Sequence, residues 1–228
     1  MADQVAVNYL HAFLERHPVK GFKKREMIVF QGEAPRQAYV VKSGTVKAYN
    51  LSVGGDEKPV SFYQADSVFP AAWVYGKAAS ATYYYEAFTP QAEIYVIDRA
   101  EFVSFIRKRP ELLYQELERL LLEQLGGSIR LNALQHSRAS DKLAYTLHYL
   151  AMSHGVPAGQ DKIQLSLELT HQDFANLTGL TRETAATELN KLKKQGVIDY
   201  GKNIAYQLDL KRLVQVLNDE FIADLRLS

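Results

Sequence analysis

Arg182 and Glu183 stand side by side in GLTRETAATELNKL (residues 179–192), a stretch whose Ala, Glu, Leu and Lys content otherwise suits a helix. An arginine can donate two hydrogen bonds to O6 and N7 of guanine, and a glutamate can accept one from the amino group of cytosine. Around this pair, Thr170, His171, Gln172, Thr181 and Thr184 carry hydroxyl, amide or ring N–H groups of the kind that hold backbone phosphates. Lys191, Lys193, Lys194 and Lys202 add positive charge nearby. Taken singly these residues have plainer readings. A glutamate is favoured at a helix N-terminus by the macrodipole, and an arginine there can simply be solvated. The case for the major groove of DNA therefore rests on the elements that carry them.

Those elements are two helices and a hairpin. Thr170 precedes His171, Gln172 and Asp173 as a capped helix start with an acid in the capping-box position. Phe174, Ala175 and Leu177 form the apolar side of that helix; Gly179 ends it, and Thr181 caps the next. The second helix buries Ala185, Leu189 and Leu192 at positions i, i+4 and i+7. QGVIDYGKNIAYQLDL follows, with YGKN as a turn between two short strands. Two helices joined by a tight Gly-containing turn and followed by a β-hairpin describe a winged helix-turn-helix, whose second helix enters the major groove tip first.

The chain has 228 residues, enough for one large domain or two modest ones, with 47% hydrophobic and 23% charged residues as in ordinary globular proteins. The net charge of +1 means that any nucleic-acid surface is a local patch. There is no cysteine, which excludes disulfides, thiol redox sensing and cysteine-held iron–sulfur clusters. No apolar run reaches membrane-spanning length, and the N-terminus does not read as a secretory signal, so a cytoplasmic protein with no membrane partner is expected.

Residues 5–16 put Val5, Tyr9, Leu10 and Phe13 at helical spacing, and Pro18 ends that segment. Short alternating runs follow at 27–30, 38–51, 58–63, 82–88 and 92–97, separated by QGEAP, KSG, VGGDE and TPQ turns. They predict a small antiparallel barrel or sandwich, with VGGDE as a hairpin turn. A short helix capped by Asp98 comes next, and Pro110 opens a long one. Leu113, Leu117, Leu120, Leu121, Leu125, Leu131 and Leu134 give that helix a stripe wider than one face requires. Pairing with a copy of itself is one explanation; packing against the barrel is the other. Gly126 and Gly127 mark a kink, a close helix approach or simple tolerance. A hinge at 136–140, a helix over about 141–153 with Leu143, Ala144, Leu147, Leu150 and Ala151 inward, an HGVPAGQD loop and a strand with Ile163, Leu165 and Leu167 complete the approach to the helix pair. The C-terminal segment from 209 reads as an amphipathic helix with Leu213, Val216, Leu217 and Phe221 on one face.

VFQGEAPRQAYVVKSGTVKAY (29–49), the long helix and LTHQDFANLTGLTRETAATELNKLKKQGVI (169–198) together resemble the bacterial cyclic-AMP receptor protein and fumarate-nitrate regulator family, over nearly the whole chain. The resemblance implies an α+β protein. It has an antiparallel β-barrel sensor of the cyclic-nucleotide-binding jelly-roll type (1–109), a dimerisation helix and hinge (110–137) and a winged helix-turn-helix (138–228). It also implies a homodimer on a near-palindromic operator in double-stranded DNA, with RNA polymerase as a further partner. Arg182 and Glu183 match the family's base readers, Thr184 its phosphate contact, and Thr187 the next reader, often an arginine, so base preference at that step differs.

The sensor positions depart from the cyclic-nucleotide members. Phe69 and Pro70 fall where a Gly-Glu pair holds the ribose, and Thr82 and Tyr83 where an Arg-Ser pair holds the phosphate. Glu123 replaces an arginine, and Gly127 and Ser128 replace a Thr-Ser pair. A cyclic phosphate without its arginine loses a charge-assisted bidentate contact, so no cyclic-AMP binding is expected. Trp73, Tyr75, Tyr83, Tyr84 and Tyr85 lie near the family's pocket, with Tyr83 and Tyr85 on one side of a strand and Tyr84 on the other. They line a site for a flat or apolar effector, or they fill the space themselves. Haem has little support: His148 and Met152 share a helix face, but on the DNA-binding side, and His11, His17 and His136 read equally as surface residues. No cofactor is predicted and the effector is unidentified. An enzyme is not expected, because no paired carboxylates, nucleophile motif, Walker loop or metal-ligand spacing stands out. The other reading kept open is a ligand-binding or protein-interaction module whose helix-turn-helix no longer reads DNA.

Overall fold

A computed structural model describes residues 2–201 and 205–217. Lys202, the centre of the expected wing turn, Phe221 and the side chain of Val5 lie outside the described residues. The chain divides into two compact units, Met1–Arg119 and Leu120–Ser228.

The first unit opens with α1 (Ala2–Leu14) and continues with β1 (Val19–Lys23), β2 (Met27–Val29), β3 (Gln37–Ser43), β4 (Val46–Leu51), β5 (Glu57–Tyr63) and β6 (Val68–Phe69). A four-residue helix α2 (Ala71–Val74), β7 (Tyr84–Ala87), β8 (Gln91–Asp98) and α3 (Arg99–Arg107) follow. The expected jelly-roll architecture is realised as two four-stranded antiparallel sheets, ordered β1-β8-β3-β6 and β2-β7-β4-β5, not as one closed barrel. Closure needs a continuous ladder, and the edge strands β2 and β6 are only three and two residues long. Strands β1 and β6 and helix α2 were too short or too irregular in pattern to be read from the sequence.

The two sheets face each other across a core of Val29, Val41, Val46, Ala48, Phe69, Tyr85 and Ile94, drawn from both. The opposite face of the first sheet is covered by helices: Phe13 and Leu14 of α1, Trp73 and Val74 of α2, and Phe102, Phe105 and Ile106 of α3 pack on Ala38, Val40 and Ile97. Tyr9, expected on the inner side of α1, is exposed, with the Arg109 guanidinium 5.6 Å over its ring. The outer face of the second sheet holds a buried ion cluster. Lys47 pairs with Glu57 and, at 3.0 Å, with Glu86, while the Tyr49 hydroxyl donates to Glu86 at 3.2 Å.

Helix α4 (Pro110–Gln135) crosses the boundary between the units. In the second unit it is followed by α5 (Ala139–His154), β9 (Gly155–Pro157), β10 (Lys162–Glu168), α6 (His171–Thr178), α7 (Arg182–Lys194), β11 (Ile198–Tyr200), β12 (Ala205–Asp209) and α8 (Leu210–Leu217). The four strands form one antiparallel sheet, β11-β12-β10-β9. Residues 155–157, read as loop, are an edge strand instead, pairing with Ile163–Leu165. Three residues are too few to show alternation, and Pro157 is tolerated because the strand is an edge.

Neither glycine of α4 breaks the helix. Gly126 is a close approach to α5: a Cβ there would stand 2.9 Å from Cε2 of Tyr149 and 3.0 Å from Oγ of Ser153. Gly127 has open space around it. On α8, Leu213 and Leu217 are buried as expected, but Val216 is exposed.

Candidate nucleic-acid interface

Local chemistry builds the helix pair. Thr170 and Asp173 form a reciprocal capping box: the Asp173 N–H donates to Oγ1 of Thr170, and the Thr170 N–H donates to the Asp173 carboxylate at 2.8 Å. Gly179 ends α6 in the left-handed conformation, φ 69°, which costs glycine little and other residues more. Thr181 then caps α7, accepting from the Thr184 N–H at 3.2 Å. Phe174, Ala175 and Leu177 of α6 and Ala185, Leu189 and Leu192 of α7 are buried, as their spacing predicts. Burying these faces leaves the N-terminal tip of α7 outward.

At that tip Arg182 and Glu183 are exposed. Neither side chain makes a hydrogen bond or ion pair among the described residues. Arg182 shares a 420 Å³ concavity with Thr170, His171 and Gln172, so the first turns of α6 and α7 open on one hollow. Two helix N-termini and an arginine facing one hollow suit an anion such as phosphate. His171 titrates below the ordinary histidine range, first because it is partly buried and second because the Arg182 charge is close. Its ring meets Tyr200 edge-on, with centroids 5.8 Å apart.

Several nominated hydroxyls already have partners. Oγ1 of Thr170 lies 2.6 Å from the Asp173 carboxylate, and Oγ1 of Thr181 lies 3.0 Å from that of Thr184. The Thr187 hydroxyl donates to the Glu183 carbonyl at 2.9 Å, and the Gln172 amide to Asn176. The lysines divide likewise. Lys191 pairs with Glu188 at 2.7 Å and Lys193 with Asp199 at 3.0 Å, while Lys194 makes no ion pair among the described residues. Lys193 holds the Asp199 carboxyl below its usual range, and it also donates to the Tyr200 carbonyl. Sequence reading missed this anchoring of the wing to α7. It also missed the hydrogen bond from the Tyr200 hydroxyl to Asn190 at 3.0 Å and the ring contacts of Tyr206, tilted against Tyr200 and edge-on to Phe174. The only available signal was a tyrosine in each of two short strands.

Residues 141–216 match the Crp-like helix-turn-helix domain model, and residues 19–109 match the cyclic nucleotide-binding domain model. The global nitrogen regulator of Synechocystis sp. is 28% identical over 81% of this chain and 81% of its own length. The anaerobic regulatory protein of Haemophilus influenzae is 27% identical over 94% of this chain and 81% of its own. The structure of FixK2 from Bradyrhizobium japonicum superimposes with a TM-score of 0.72 at 19% identity, over 88% of this chain and 96% of that one. The chain belongs to the cyclic-AMP receptor protein and fumarate-nitrate regulator family. It is a transcription regulator of that family, with a helix-turn-helix DNA-binding domain.

The family's sensor half is present, but the aromatic residues in it fall into two groups. Tyr85 is buried between the sheets, stacked on Phe69 at 5.3 Å and tilted against Tyr63, with Tyr83 edge-on to it at 6.4 Å. Tyr84 points the other way and stacks on Tyr49, as strand alternation predicts. Among the described residues of the first unit the buried polar side chains are Thr45, Lys47 and Glu86, and Lys47 and Glu86 pair with each other on the outer face of the second sheet. Trp73 and Tyr75 belong instead to the cluster beneath the helices, on the far side of the first sheet. The Tyr75 hydroxyl is raised above its ordinary range by burial and by the Glu116 carboxylate. Ser128 is exposed on α4 and donates to the Gln124 carbonyl at 3.1 Å. Among the described residues, no helix is long and apolar enough to cross a membrane, and no three His, Asp or Glu side chains gather as a metal-binding group.

Proposed function

We propose that this regulator acts as a homodimer and reads a two-fold symmetric site in double-stranded DNA, with Arg182 on a guanine and Glu183 on a cytosine amino group. The observation that carries this reading is the pair of exposed, unpartnered charges at the capped tip of α7. Charged groups held there without protein partners are available to base edges. Thr170, His171, Gln172, Thr181 and Thr184 are the phosphate contacts in this reading, Lys202 is assigned with them from the sequence alone, and Thr187 faces the next base step. For the three threonines and Gln172 the contact requires sharing or exchanging the hydrogen bonds they already make.

The dimer is supported by α4. Leu113, Leu117, Leu120, Leu121 and Leu131 are all exposed, Leu131 by 61%. The spacing 113–117–120 is resumed at 131–134, with Gln124 and Gly127 in the intervening positions of the repeat. Seams of this kind pair helices in water because exposed leucine is otherwise left hydrated. RNA polymerase is the further partner expected of a regulator of this family, and the cytoplasm is where it would meet the chromosome.

Cyclic AMP is not the effector in this reading. Tyr85 and Phe69 stack between the sheets, and the one buried cation among the described residues of the first unit, Lys47, lies on the outer face of the second sheet, paired with Glu57 and Glu86. The test of the DNA reading is selection from a random double-stranded pool at a stated salt concentration. A symmetric site with G·C pairs is expected. Arg182→Ala should then cost about 1–3 kcal/mol and relax preference at one base pair per half-site. Unchanged discrimination at every position would remove Arg182 from the reading.

A further inference from the structure

A second site lies in the first unit, on the side of α2 away from the inter-sheet core. A groove of 930 Å³ opens between α2, α3 and the start of α4, within the size range of small-molecule sites. Its lining includes Trp73, Val74, Val103, Ile106 and Leu113, of which Val103 and Leu113 present the most surface. Its charge is one-sided: Arg36, Arg99, Arg107 and Lys108 line it against the single acid Asp98. Asp98 is already engaged, capping α3 through the Glu101 N–H at 3.0 Å.

Arg99 is set in place before any ligand arrives. Its Nε donates to the Val74 carbonyl at 2.9 Å, and its guanidinium lies 4.9 Å over the Trp73 ring. Arg36, Arg107 and Lys108 are exposed and make no ion pair among the described residues. Three cations left unpaired around an apolar groove repel one another, and an anion relieves that repulsion. The apolar walls require that the anion also carry an apolar body. We propose that this groove binds an organic anion, with an apolar body against Trp73 and Val103 and a phosphate or carboxylate facing Arg36, Arg107 and Lys108. This proposal does not depend on the DNA reading.

Trp73 is the only tryptophan of the chain, so energy transfer from indole reports a probe bound in its surroundings, and the charge-reversal variant below localises that signal to this groove. The probe is anilinonaphthalene sulfonate, added to the full chain and excited through Trp73. Saturable sensitised emission is expected, displaced by phenyl phosphate or benzoate but not by benzyl alcohol or inorganic phosphate. Stronger displacement by phenyl phosphate assigns a phosphate ester, and stronger displacement by benzoate a carboxylate. The variant R107E/K108E, on an exposed helix end, should fold as the wild type and bind the probe at least about tenfold more weakly. Absence of sensitised emission, wild-type affinity in the variant, or equal displacement by the neutral alcohol or by bare phosphate overturns the proposal. So does a groove filled by a second copy, which would show as failed probe binding together with a lower sedimentation mass of R107E/K108E.

Discussion

Replacing Gly126 and Gly127 separately by alanine makes a paired test of how α4 meets α5. Each substitution gains about 0.5–1 kcal/mol of intrinsic helix stability. At Gly127 nothing in the protomer lies within 4 Å of the new Cβ, and in the proposed seam a methyl group only adds apolar contact, so nothing offsets the gain. At Gly126 the new Cβ would sit 2.9 Å from the Tyr149 ring and 3.0 Å from Oγ of Ser153. The serine hydroxyl can rotate away. The ring cannot easily do so, because Tyr149 is 5% exposed and lies edge-on to His154 at 6.4 Å. Overpacking of this kind costs about 1–3 kcal/mol. Helix propensity cancels between the neighbours, so the difference between the two variants isolates the contact at about 1–3 kcal/mol. Urea unfolding followed by helical circular dichroism should give a higher midpoint for G127A than for the parent, and a midpoint for G126A equal to or below it. Equal shifts in the same direction would refute the close packing of α4 on α5.

Other outcomes follow from titrating groups and from the sensor core. His154 is buried and its pKa is lowered to about 4 by that burial, against 6.5 when exposed. The neutral form is therefore favoured in the folded state. The associated stability is complete above about 6.5 and falls by up to about 3 kcal/mol as pH drops toward 4; thermal unfolding of H154Q should lose that part of the acid sensitivity. His171 is held neutral at pH 7 in the free protein, whereas a bound phosphate favours its cation. DNA affinity should thus strengthen as pH falls below neutrality, and H171Q, measured by fluorescence anisotropy, should flatten that slope; an unchanged slope removes His171 from the phosphate contacts. Calorimetric titration with cyclic AMP should show no binding at micromolar concentration, and a micromolar affinity would sink the filled-pocket reading.

The helix pair was legible because its signals are local. Two capping threonines, one glycine in the left-handed conformation and three-to-four-residue apolar spacing are written within a short stretch, and α6 and α7 obey all of them. Gly126 was visible as an anomaly in a helix, but its meaning depends on Tyr149 and Ser153, which only folding brings near. Closure of the sheets was not legible, since it is decided by hydrogen bonds that very short edge strands do not make. The aromatic residues near positions 73–85 read as one group because they are close in sequence. The first sheet separates them, with Trp73 and Tyr75 on one side and Tyr83 and Tyr85 on the other. The basic groove was hidden for the opposite reason, because Arg36 and Lys108 are far apart in the chain and each alone reads as a solvated charge.

The Thr187 hydroxyl is already spent on the Glu183 carbonyl. In the proposed complex the helix then presents a methyl group at that step. A methyl can touch the methyl of thymine, but it leaves no base with an unmet donor or acceptor and so rejects none strongly. Each half-site becomes a short word, and short words recur by chance throughout a chromosome. In that proposed complex selectivity then comes from the gap between two such words, set by the pairing of the two protomers. A regulator of this kind tolerates spelling changes in its operators better than it tolerates the insertion of a single base pair between them. Its target set is free to drift by point mutation while the spacing stays constant.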